Sequence, residues 1–154
     1  MKKSIFWCVL ALAAIGMTAC NNTPDCYYHS KTFDLDVKAG TDWAWQFDTV
    51  AQQFYCHFDV PDLNFQVYNY GNWSISREYN GGKKDAYQVA LPQSLYMTED
   101  IEDPNTHEVH TVYYTQHIDY RVGIGYVEIQ LTNSDYLYGQ KDPEDMTFRL
   151  QLIY

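Results

Sequence analysis

Short runs in which apolar and polar residues alternate, each closed by a turn residue, recur through this chain and restrict it to β structure. Phe33, Leu35 and Val37 alternate with Asp34, Asp36 and Lys38. Phe54, Cys56, Phe58 and Val60 alternate with Tyr55, His57 and Asp59, and Met146, Phe148, Leu150, Leu152 and Tyr154 close the series. Successive side chains of a strand point to opposite faces, so a period of two buries one face and leaves the other in water. Further strands are predicted over 72–79, 86–91, 111–122 and 125–132. Trp43, Trp45 and Phe47 continue the period, as a strand or as an aromatic-lined loop. Gly40 with Asp42, Pro61 and Pro92 end runs, and Asn80-Gly81-Gly82-Lys83-Lys84-Asp85 is a hairpin turn, because adjacent glycines tolerate the positive φ that such turns need.

Three segments depart from this period. Between Asp62 and Gly71, Leu63, Val67 and Tyr70 are spaced by four and three, which predicts one or two helical turns capped by Asp62 and terminated by Gly71. Residues 98–110 hold five carboxylates, Pro104 and two histidines and are expected to form the longest loop; 133–145 is a second loop. Seven or eight short strands with turns at regular intervals define an all-β fold, an antiparallel β-sandwich of immunoglobulin-like or related type. A lipocalin-like up-and-down barrel is the alternative.

The hairpin around Gly123 and Gly125 is where side-chain chemistry can be placed. Val112, Tyr114, Ile118, Tyr120 and Val122 share one face of its first arm, and Val127, Ile129 and Leu131 one face of its second. A turn around Gly123 and Ile124 points both faces to the core and sets Arg121 opposite Tyr126, Asp119 opposite Glu128 and His117 opposite Gln130. Two opposed carboxylates, with Arg121 and His117 beside them, could bind a sugar hydroxyl or a cation. They also have the spacing of roughly 5 Å that retaining glycoside hydrolysis uses. A solvated ion-pair ladder is the plainer reading.

Other candidate chemistry is thinner. His107 and His110 flank Glu108 and Val109, a three-residue spacing with no second ligand pair, and Glu99, Asp100, Glu102 and Asp103 lack the glycine-punctuated order of a calcium loop, so no metal and no cofactor is assigned. Nothing matches a phosphate loop or a nucleophile elbow, so no catalytic residue is assigned. The fifteen tyrosines and four tryptophans are the unusual part of the composition. Rings with a polar tip suit surfaces that bind glycans or proteins, and they also fill thin cores. Trp43, Trp45, Tyr55, Tyr113, Tyr126, Tyr136 and Tyr138 are the ones whose exposure decides between these.

The first twenty residues set the compartment. Lys2 and Lys3, an apolar run from Ile5 to Ile15, and Met17-Thr18-Ala19-Cys20 have the order of a secretory signal. The last four resemble the lipobox of bacterial lipoproteins, which implies cleavage before Cys20, acylation of its thiol, and a membrane contact made by acyl chains. The domain plan is then a signal over 1–19, a tether over 20–31 and a sandwich over 32–154. The mature part carries 8 basic against 20 acidic residues, a charge that repels nucleic acid and anionic lipid surfaces. Cys26 and Cys56 remain as thiols. Bonded, they would stabilise the fold by roughly 3–4 kcal/mol; otherwise Cys56 is a small buried strand residue.

The lipobox, Trp43-Ala44-Trp45, Phe58-Asp59-Val60-Pro61, the Gly71 turn and Phe148-Arg149-Leu150 together resemble exported lipoproteins of Bacteroides-type bacteria. That resemblance implies a β-sandwich on the outer membrane, on its periplasmic or cell-surface side, and transfers no catalytic residues. Asp48-Thr49-Val50 looks like the O-glycosylation motif of those bacteria, on Thr49. The expectation is a non-catalytic envelope lipoprotein. Its surface of Trp43, Trp45, Tyr113, His117, Asp119, Arg121, Tyr126 and Glu128 would bind a glycan or an envelope protein. A small hydrolase using Asp119 and Glu128, or a structural subunit of an envelope complex, are the alternatives.

Overall fold

The computed structural model describes residues 29–134 and 143–154. The expected signal over 1–19, Cys20, Cys26, Tyr136 and Tyr138 lie outside them. Among the described residues there are nine strands: β1 (Ser30–Val37), β2 (Gln46–Asp48), β3 (Gln53–Asp59), β4 (Asn72–Tyr79), β5 (Tyr87–Ala90), β6 (Gln93–Glu102), β7 (Val109–Gly123), β8 (Tyr126–Asn133) and β9 (Met146–Ile153), with one helix, α1 (Phe65–Tyr70). They pair antiparallel in two sheets, ordered β1-β9-β4-β5 and β2-β3-β8-β7-β6. The all-β sandwich is therefore what the alternation produces, with more strands than anticipated because Gln46–Asp48 and Gln93–Glu102 also pair. The order departs from that of immunoglobulin domains: the last strand lies between the first and the fourth.

The core forms where the two apolar faces meet. Val37, Ile75, Phe148, Leu150 and Leu152 of one sheet pack with Phe54, Cys56, Ile118, Val127, Ile129 and Leu131 of the other, all nearly or fully shielded from water. Burial pushes the Cys56 thiol up to about 11, so it is a neutral, free core thiol, and Cys26 lies outside the described residues. Ser30 and Lys31, assigned by composition to the tether, belong to β1 because they pair with Ile153 and Leu152 of β9. Lys31 also donates to Asp62 at 2.7 Å.

The helix cap is the first correction. Asp62 does not cap the helix; Asn64 does, its Oδ1 accepting from the backbone N–H groups of Gln66 and Val67 at 2.9 and 3.1 Å. Gly71 ends the helix as expected, and its N–H bonds to Val67 O. The requirement for glycine there is close approach: a Cβ would sit 2.6 Å from Val67 O and 3.1 Å from Ile153 O.

The acidic segment is the second correction. Thr98–Glu102 is strand, paired with Val109–Tyr113, and the connection shrinks to the residues between Glu102 and Val109. Gln93, Leu95, Met97, Glu99 and Ile101 lie on the half-buried side of β6, and Ser94, Tyr96, Thr98, Asp100 and Glu102 face water. Glu99 hides the alternation, because it takes an inward place between the apolar Leu95, Met97 and Ile101.

On the outer face of the four-stranded sheet, Asp34 and Glu78 flank Arg149 at 2.8 and 3.3 Å, and Asp36 accepts from the Thr147 hydroxyl at 2.7 Å. The Thr147 hydroxyl, with Lys38 helping and partial burial opposing, holds the Asp36 carboxyl below its ordinary 3.8. A depressed folded value means that this contribution is present above the unfolded value and is lost as pH falls through the folded one. Melts recorded from pH 6 down to pH 2 should therefore drop in midpoint below about pH 4. Thr147→Val should make that drop shallower, and an unchanged acid limb would refute this source of it.

Candidate functional site

Six of the eight sequence-predicted surface residues, all but Trp43 and Trp45, lie on the outer face of the five-stranded sheet, but in another register. The β7–β8 turn is made by Ile124 and Gly125, with Gly125 at φ +85°, so that Gly123 pairs with Tyr126, Arg121 with Glu128, Asp119 with Gln130 and His117 with Thr132. The expected turn at Gly123 and Ile124 would have placed β-branched Ile124 where glycine's positive φ is used. The correction moves every pair by two residues and leaves the buried face unchanged. Gly123 has its own role, for the Tyr126 ring fills the space a Cβ on it would need.

Asp119 and Glu128 are consequently diagonal rather than opposed, and each has other partners. Glu128 accepts from Gln130 Nε2 at 2.7 Å and lies 3.7 Å from Arg121 Nη1. Asp119 takes the Tyr120 N–H at 2.7 Å, and its other oxygen is 3.9 Å from His117 Nε2. His117 Nδ1 is 2.9 Å from Ser94 Oγ. The opposed carboxylate pair on which the hydrolase alternative rested is not formed, because the glycine that can turn the chain lies one place further on.

The aromatic residues divide by how they are used. Trp45 sits edge-on to Phe148, with centroids 6.5 Å apart, and its Nε1 donates to Glu144 O at 3.1 Å, so it packs against the core and leaves the candidate surface. Tyr126 stacks on His57 at 5.0 Å, and Tyr55 donates to Gln46 Oε1 at 2.8 Å. Trp43 is half exposed at the open edge of the sandwich, in the loop before β2. Tyr113 is 77% exposed, and Tyr96, which sequence reasoning passed over, is 95% exposed.

Tyr96 and Tyr113 are diagonal neighbours. Tyr96 stands opposite Thr115 and Tyr113 opposite Thr98, so both rings project from the same face of one hairpin. Ser94, Thr98, Thr111 and Thr115 are interspersed with them. The signal that could have found Tyr96 was the alternation Leu95, Met97, Ile101, which places Tyr96 on the opposite, outward side.

Thr49 is exposed in the turn after β2, where the Asp48 carboxylate accepts from the N–H groups of Val50 and Ala51. His107 is 2.6 Å from Glu102, and His110 is 3.8 Å from Glu108, as two separate surface pairs. Among the described residues no three histidine, cysteine or acidic side chains could together hold a metal ion, and no helix is long and apolar enough to cross a membrane. Comparison with protein-family models, with curated proteins and with solved structures finds no match to the chain.

Proposed function

We propose that this chain is a non-catalytic, lipid-anchored protein of the outer membrane whose sandwich binds a glycan on the outward face of the β6–β7 hairpin. The observation that carries this reading is the pair of tyrosines at 95% and 77% exposure on two strands of fixed register. Rings left in water on a rigid sheet offer flat apolar area with little entropy to lose, which suits the C–H face of a sugar. The serine, threonines and His117 around them supply hydrogen-bond donors and acceptors for its hydroxyls. The order Lys2-Lys3, apolar run, Met17-Thr18-Ala19-Cys20 supports an anchor at Cys20, and the surplus of carboxylates argues against nucleic acid as the partner.

The test is a glycan-array screen of the soluble chain starting at residue 21, followed by titration of the best glycan. At about 1 kcal/mol for each ring, Tyr96→Ala with Tyr113→Ala should weaken binding by at least about tenfold. Arg121→Ala, two strand pairs or more from either ring, should change it less than about threefold. No retained glycan, or a double variant that binds as tightly as the parent, would turn the assignment to an envelope protein as partner. Intact mass of native protein tests the proposed glycan on Thr49: the bare polypeptide plus lipid alone would dismiss it.

A further inference from the structure

On the opposite margin of the five-stranded sheet, where β3 comes against β1 at the open edge of the sandwich, there is a cavity of about 230 Å³. Phe33, Trp43 and Phe58 wall it with rings, Leu35 and Val60 extend the apolar floor, and Asp34, Asp36 and Asp59 complete the lining. We propose that this cavity binds a primary alkylammonium group, such as the end of a lysine side chain. The proposal is independent of the glycan reading, since it uses neither Tyr96 nor Tyr113.

Size selects first. The cavity falls below the roughly 300 Å³ at which pockets begin to enclose a whole drug-sized ligand, and it is open to solvent beside half-exposed Trp43. It can take the end of one chain. Chemistry selects next: no basic residue lines it, Asp34 and Asp36 are each compensated by a neighbouring cation, which leaves the Asp59 carboxylate to set the charge at its rim, and ring faces attract a cation through their quadrupole. Trp43 is held stacked on Phe58, with centroids 6.5 Å apart and 23° between planes, so its outer face is already oriented.

The carboxylates are not equivalent. Asp34 is taken by Arg149 at 2.8 Å, and Asp36 by Thr147 at 2.7 Å and Lys38 at 3.3 Å. Among the described residues Asp59 meets only the His57 ring, at 3.5 Å, and its side chain is 90% exposed. It is therefore the acceptor with capacity left. The Lys31 ammonium already makes this combination: it lies 5.2 Å from the centre of the Phe33 ring while donating to Asp62 at 2.7 Å. An incoming ammonium would repeat that arrangement with Trp43 and Asp59, its alkyl stem lying on Phe58, Leu35 and Val60.

The experiment is a titration of the ¹⁵N-labelled full chain, reading the Trp43 indole N–H, which Trp43→Phe identifies by its disappearance. Nα-acetyl-lysine methylamide should shift this signal, and the same molecule acetylated on Nε, which keeps the alkyl stem but carries no charge, should not. Asp59→Asn, which leaves every buried contact in place, should weaken the effect by about threefold or more. An unshifted signal, an equal response to the acetylated compound, or an unaltered titration in Asp59→Asn would each overturn the proposal. Tighter binding of acetyl-Gly-Lys-Gly-amide than of butylammonium assigns the natural source to a protein lysine; equal or weaker binding assigns it to a free amine.

Discussion

A chain ending at Arg149 should show no cooperative unfolding transition. The five residues removed include Leu150 and Leu152, both fully buried, and burial of each stabilises the fold by about 1.5–3 kcal/mol. Position adds to this loss. β9 is an inner strand, and the deleted half pairs with Ser30–Phe33 of β1 on one side and Asn72–Ile75 of β4 on the other. Removing it leaves two unpaired strand ends and exposes the apolar face of the other sheet. Against a total stability of about 5–15 kcal/mol for a domain, that is enough to unfold it. Far-UV circular dichroism on heating reads the result directly; a sigmoidal melt within a few degrees of the intact chain would show that the first sheet tolerates the loss.

The second large effect is expected at Phe148, the largest fully buried side chain. Phe148→Ala removes a ring from the centre of the core and should cost about 3–5 kcal/mol, transfer and cavity together. Its particular signature is optical. The Trp45 indole rests edge-on against Phe148 while its N–H is tied to Glu144 O, so loss of the ring should admit water beside the indole and shift its emission to the red in the still-folded protein. A urea titration followed by fluorescence measures both quantities; an unchanged midpoint would place the packing energy elsewhere in the sandwich.

Several elements were legible from residue order because their causes are local. β4 coincides with the run 72–79, the Asn80-Gly81-Gly82 turn joins it to β5, and Gly71 closes the helix. Other features needed distant partners. Asp62 is as good a helix cap as Asn64 on chemistry alone; in the fold the helix begins at Phe65, so Asn64 takes that role and Asp62 pairs instead with Lys31, thirty-one residues away. Arg77 was unremarkable in the sequence, yet it is buried opposite Phe148, with its guanidinium 2.6 Å from Glu144 and 4.5 Å from the Tyr79 ring. Alternation could have placed it inward beside Ile75, but only the sheet shows what receives its charge.

The candidate site divides in the same way. That Tyr113, His117, Asp119, Arg121, Tyr126 and Glu128 share an outward face followed from parity and holds in the structure. Which of them meet did not follow. By itself the sequence determined most of the strands, their inward and outward faces, and the class of fold, because a period of two is a property of neighbours along the chain. Only the tertiary structure decided that β9 lies between β1 and β4, that Asp119 meets Gln130 and not Glu128, and that Tyr96 stands beside Tyr113. A slide of two residues preserves every face, so the hydrophobic pattern cannot distinguish the registers; the conformation that Gly125 allows at the turn does.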